Sequence, residues 1–184
     1  MSSGKKIPPR GRRRVVHEGK YIRFVISGRW EWAERVNCTG IVIVVCLTRQ
    51  KKLVLIEQFR VAMGKKVIEL PAGLVNDIPG APHETLESAA RRQLWEETGH
   101  DARTMTPLTE GPVSAGMSAE SIAFFLAKDS RKTGPGGGDA TESIRVHEIS
   151  LSRVSKWLDS MRRKGRLVDP KVYAGLYFLL RDKK

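Results

Sequence analysis

A chain of 184 residues with 40% hydrophobic content is the size of one domain with a true core, and no apolar run approaches the length of a membrane-spanning helix. Lysine and arginine total 33 against 20 acids, so the net charge of +13 favours anionic partners, polyanions and phosphorylated small molecules alike. Two cysteines without a CxxC spacing exclude a disulfide scaffold; Cys38 and Cys46 lie in apolar sequence, read as buried thiols, and point to the cytoplasm.

The first twenty residues read as a basic, flexible tail, dominated by KKIPPRGRRR, Lys5 to Arg14. That run and RRKGR, Arg162 to Arg166, read first as solvated segments and second as a nucleic-acid surface. Strand-like alternation on both sides of Gly28 predicts a hairpin between Tyr21 and Val36, assigned with residues 21–38 to an N-terminal β extension. GIVIVVCL, Gly40 to Leu47, and KLVLIEQF, Lys52 to Phe59, follow as strands, the first apolar enough to be buried on both faces. After a Pro/Gly-rich loop, Asn76 to Pro82, a helix is predicted from about Glu84 to Thr98, with Glu84 and Glu87 in its first turn and Gly99 as its stop. SIAFFLA, Ser121 to Ala127, and SIRVHEI, Ser143 to Ile149, read as a strand pair separated by a mobile glycine loop, Gly134 to Asp139. Two helices close the chain: Leu151 to Met161, then one opened by Asp169 as N-cap and Pro170 at its first position.

The helix ending at Thr98 carries the candidate chemistry. At 3.6 residues per turn, Leu86, Ala89, Ala90 and Leu94 form an apolar stripe that faces the sheet, and Gln93 and Glu97 project within it. With Glu96 at the edge, three oxygen-bearing side chains at i, i+3 and i+4 crowd the inward side of the last two turns. Carboxylates directed inward are costly without a cation, and an all-oxygen cluster suits Mg²⁺ or Mn²⁺ rather than zinc. The alternative is a surface helix whose acids face water.

ELPAGL, Glu69 to Leu74, then Glu84, then RRQLWEETG, Arg91 to Gly99, resembles the Nudix box, GX5EX7REUXEEXGU with U apolar. Gly73, Glu84, Arg92, Leu94, Glu96, Glu97 and Gly99 match. Three positions depart: ten residues separate Gly73 from Glu84, Gln93 replaces the first glutamate of the helix cluster, and His100 replaces the last apolar residue. From about Tyr21 onward the chain is similar to the ADP-ribose and nucleoside-diphosphate-sugar pyrophosphatase branch, in WEWAERV, IEQFR, SAGMSAE (Ser114 to Glu120) and ESIRVHEI.

This resemblance implies an α/β/α sandwich around a mixed sheet in residues 39–184, with an N-terminal β extension that builds a homodimer. It implies Mg²⁺-dependent cleavage of a nucleotide sugar to a nucleoside monophosphate and a sugar phosphate, impaired here by Gln93. Metal ligands would be the Ala72 carbonyl, Gln93, Glu96 and Glu97, with Arg92 orienting the acids. The resemblance makes Glu142 the general base, with Asp139 as fallback. It places Arg60, Leu74, Glu120 and Trp32 against substrate; for Trp30 and Trp32, which share one strand face, core or interface packing is the alternative to stacking on a base. A nucleotide-sugar-binding protein without turnover, and a Nudix protein acting on RNA ends, stay open as other readings.

Overall fold

The structure, a computed structural model, describes residues 11–78, 83–138 and 143–181. Strands β1 (Arg13–Glu18), β2 (Ile22–Ser27) and β3 (Trp30–Arg35) form a three-stranded antiparallel sheet. The predicted hairpin is β2–β3: Ser27 pairs with Trp30 across a two-residue turn, and Gly28 takes a φ of 60° that a side chain would disfavour. Strand β1 was not expected, because its sequence lies inside the basic tail. It is ordered because its charge is answered locally: Arg13 and Arg23 meet Glu34 at 2.6 and 2.8 Å, and the Trp32 indole N–H donates to the same carboxylate at 2.8 Å. The Arg13 hydrogen bond, outweighing partial burial, holds Glu34 down to about 2.

The second sheet has nine strands. Its centre is β4 (Gly40–Thr48), flanked by β5 (Lys52–Arg60) and β7 (Ala72–Val75) on one edge and β10 (Ser121–Lys132) on the other. Around these lie β6 (Lys65–Glu69), β8 (His100–Asp101), β9 (Met105–Pro112), β11 (Arg145–Ser150) and β12 (Leu167–Val168). The β4–β10 and β6–β12 pairs are parallel and the others antiparallel, so the sheet is mixed. Strand β4 explains the layering. Val42, Val44 and Cys46 pack toward α1 (Leu86–Thr98), whereas Ile43, Val45 and Leu47 pack toward α2 (Val154–Arg163) and α3 (Pro170–Arg181). A strand covered on both faces reads as a continuous apolar run, which is what GIVIVVCL is. The result is the expected α/β/α sandwich.

Helix α1 begins one residue after Thr85, which forms a reciprocal capping box with Ser88, and ends at Gly99 with φ 71°. Glu84 therefore precedes the helix instead of sitting in its first turn, and Leu86 is exposed, while Ala89, Ala90 and Leu94 are fully buried. Helix α2 starts three residues later than predicted. Asp169 caps α3 as expected, accepting from the Lys171 N–H at 2.8 Å.

SIAFFLA and SIRVHEI are strands but not partners. The first is buried on both faces and runs between β4 and β9; the second is only partly buried and lies beside β5. Among the described residues no helix is long and apolar enough to cross a membrane.

Candidate active site

Strand β7 and helix α1 run in opposite directions, so three successive strand residues meet three helix residues in reverse order. The Ala72 N–H donates to Glu97 Oε2 at 2.9 Å. Gly73 faces Gln93 so closely that a Cβ there would overlap the Gln93 amide, which is why the strand is glycine at this point. The Leu74 carbonyl accepts from Arg92 Nη2 at 3.1 Å. Gln93 and Glu97, predicted on the inward stripe, are 9% and 3% exposed, and Glu96 stands at the rim. The structure thus gathers Ala72, Leu74, Arg92, Gln93, Glu96 and Glu97 at one place.

Arg92 is the hub. Its guanidinium holds Glu84 through two hydrogen bonds, 2.8 and 2.9 Å, Glu96 at 3.1 Å and Asp77 at 3.2 Å. The Glu96 contact was expected from the i, i+4 spacing; the stronger bidentate pair with Glu84 was not, because Glu84 was placed inside the helix. Hydrogen bonding to Arg92 is the main reason Glu84 sits below its ordinary value, and Glu84 in turn is the main reason Arg92 is raised. The Asn76 N–H also faces Glu84, and the Glu84 N–H returns a hydrogen bond to the Asn76 side chain at 2.6 Å. The loop before α1 is therefore fastened to the acidic cluster.

Among the described residues, no three His, Cys, Asp or Glu side chains converge as a metal-holding group. Glu96 and Glu97 supply two carboxylates, and Gln93 supplies an amide where a third would complete the set. All donors are oxygen, so the arrangement fits a hard divalent cation with reduced ligand charge.

The glycine loop after β10 corrects an expectation of mobility as far as residue 138. The Thr133 and Gly134 amides donate to the Gly99 carbonyl at 2.7 and 3.0 Å, Gly137 to that of Glu97 at 2.8 Å, and Gly138 to that of Glu96 at 3.1 Å. These donors satisfy carbonyls that the end of a helix leaves without intrahelical partners. Gly134 also lies on the Trp95 ring. Glu142 and Asp139, the two candidates for general base, lie outside the described residues.

His100, the third departure from the motif, is 2% exposed. Its Nδ1 is 3.3 Å from Ser130 Oγ and its Nε2 is 3.4 Å from Glu148 Oε1; burial keeps the ring below the usual histidine range. The Ser130 contact satisfies one nitrogen of this polar ring at an apolar position, while Nε2 makes no hydrogen bond among the described residues.

The proposed substrate residues spread outward from this centre. Arg60 is held by Glu69 at 2.9 Å. Glu120 pairs with Arg35 at 2.6 Å, and both line a cavity of about 450 Å³ that also contains Glu84, which joins it to the Arg92 cluster. Trp30 and Trp32 line a separate cavity of about 710 Å³ with Ala115 and Gly116; Glu34 and Ala119 border both cavities. Trp30 is exposed, so core packing does not account for it. Sequence reading missed Glu84 and Asp77 as partners of Arg92, Glu69 as the anchor of Arg60, and Arg35; the motif position of Glu84 was the available signal for the first.

A family model described as the NUDIX domain matches residues 39–168. The chain is 35% identical to a GDP-mannose pyrophosphatase of Salmonella arizonae, over 84% of this chain and 79% of that protein. It is 30% identical to an ADP-ribose pyrophosphatase of Bacillus subtilis, over 73% of this chain and 70% of that one. A crystal structure described as an ADP compounds hydrolase superposes with a TM-score of 0.73 at 19% identity, covering 98% of this chain and 96% of the other, and shows the same fold.

Proposed function

We propose that this chain, which belongs to the Nudix family, hydrolyses the diphosphate linkage of nucleoside diphosphate sugars to a nucleoside monophosphate and a sugar phosphate. The observation that carries this reading is the meeting of Ala72, Gly73 and Leu74 with Glu97, Gln93 and Arg92, beside a cavity of about 450 Å³. Relatives named for ADP-ribose and for GDP-mannose support the substrate class.

Water attacks one phosphorus, the bond to the bridging oxygen breaks, and the water proton passes to a base, for which Glu142 is the candidate from motif resemblance. A divalent cation, Mg²⁺ in this proposal, would be held by Glu96, Glu97, Gln93 and the Ala72 backbone, and would supply neutralisation of the charge on the phosphoryl oxygens. Arg92 keeps Glu96 and Glu84 in fixed positions, and the Ala72 N–H fixes Glu97. Arg60, held by Glu69, and Glu120 are proposed contacts of the diphosphate and the sugar, with Leu74 and Trp32 beside the nucleotide. The exposed apolar residues of the three-stranded sheet make that sheet the proposed homodimer face.

Gln93 brings a dipole where a carboxylate would bring charge, so turnover is reduced. Steady-state release of monophosphate from ADP-ribose and GDP-mannose in saturating Mg²⁺ tests this: Gln93→Glu is expected to be at least about tenfold faster, since ~1.4 kcal/mol in the barrier is tenfold in rate. Equal rates would remove Gln93 from the metal site. Binding of both nucleotide sugars without turnover by either form would favour the second reading, a nucleotide-sugar-binding protein.

A further inference from the structure

We propose that the end of the large sheet beyond β10 is a second binding site, for a compact anion carrying several phosphate groups. A cavity of about 770 Å³ opens there, lined by Arg49, Arg103, Lys128 and Arg131 together with Thr104 and Thr133. Two acids, Asp101 and Asp129, also border it.

The cations come from three parts of the chain, and the fold brings them together. The parallel pairing of Ser130 with Thr48 sets Arg49 next to Arg131, and the antiparallel pairing of Arg131 with Asp101 brings the β8–β9 loop, with Arg103, to the other side. Lys128 joins them through a bulge. In a regular strand, residues three apart point to opposite faces. The register of β10 shifts between Ala127 and Ser130, and Asp129 takes the left-handed φ of 55°, so Lys128 and Arg131 both line the same cavity. A non-glycine residue in that conformation carries a conformational cost, and such outliers cluster at binding sites.

Among the described residues, none of the four cations forms an ion pair, whereas Asp101 is already taken by Arg91 at 3.4 Å. Their charge is left for a ligand. The lining has no aromatic ring, so recognition rests on phosphate charge and the two threonine hydroxyls, without stacking of a base. The volume suits a small oligophosphate, which is why that ligand is favoured over a nucleic-acid strand.

The probe is inorganic tripolyphosphate, titrated calorimetrically into the full chain without divalent cation. Expected is saturable binding that weakens about tenfold or more in Lys128→Ala/Arg131→Ala. Asp129→Asn should bind several-fold more tightly, because asparagine tolerates the left-handed backbone and removes the repelling charge. Arg153→Ala/Lys156→Ala, which deletes the same charge from an exposed turn and helix elsewhere, should change nothing. Equal weakening in the two double variants would reduce the effect to net charge and overturn the proposal. So would unchanged affinity in Lys128→Ala/Arg131→Ala, or binding of RNA oligonucleotides by a chain that does not bind tripolyphosphate.

Discussion

Arg92 shows how one side chain organises a cluster of acids. It is four-fifths buried and faces three carboxylates, so its removal leaves Glu84, Glu96 and Asp77 close together with their charges uncompensated. Arg92→Gln should therefore cost about 2–3 kcal/mol at neutral pH, in the range for a broken charged hydrogen-bond network, read by urea unfolding. The pH dependence has a definite sign. Glu84 titrates below its ordinary 4.5 in the folded chain, chiefly because Arg92 hydrogen-bonds it, so the unfolded chain takes up its proton first. The contribution is complete above about 4.5 and disappears as pH falls through the lowered folded value. The stability gap between the parent and Arg92→Gln should thus narrow toward pH 3; a gap that stays constant would show that Arg92 acts through packing alone.

At the scale of elements, α1 is positioned from both ends and from below. The Thr85–Ser88 box starts it, Ala89, Ala90 and Leu94 press it on the sheet, and the amides of the glycine loop close its last turn, the one that carries Glu96 and Glu97. Gly136 is a tight point within the loop itself: φ is 64°, and a Cβ would overlap the Thr98 carbonyl carbon. Gly136→Ala should cost about 1–3 kcal/mol and weaken Mn²⁺ binding, because the carbonyls of Glu96 and Glu97 lose their donors. Gly111→Ala, where a Cβ meets nothing within 4 Å, serves as control and should leave both measurements unchanged. If Gly136→Ala lowers stability yet leaves Mn²⁺ affinity intact, the loop is a helix cap only.

For the whole molecule, the three-stranded sheet is the element with least support of its own. Val15, Val16, Ile22, Phe24 and Trp30 are exposed on it, an apolar concentration that a monomer rarely leaves in water. The proposed homodimer predicts a doubled mass by light scattering, and Phe24→Asp should shift the population to monomer. A parent chain that is already monomeric across the micromolar range would refute this. The net charge of +13 acts at the same scale, favouring anionic partners over the whole surface, the proposed site at the β10 bulge included.

What the sequence determined by itself is whatever depends on local order and fixed spacing. The burial of β4 on both faces follows from an unbroken apolar run, the stop of α1 from Gly99, the cap of α3 from Asp169–Pro170, and the inward placement of Gln93 and Glu97 from helical periodicity. Tertiary structure decided what depends on contacts between distant segments. It alone placed Glu84 on Arg92, turned a run of glycines from an expected mobile loop into a cap on α1, separated β10 from β11, and ordered β1 by giving Arg13 a carboxylate on β3. The reason is common to all four. A residue's backbone preference and polarity are written at its own position, but which charge, carbonyl or strand edge it meets is set by the closure of the chain around the core.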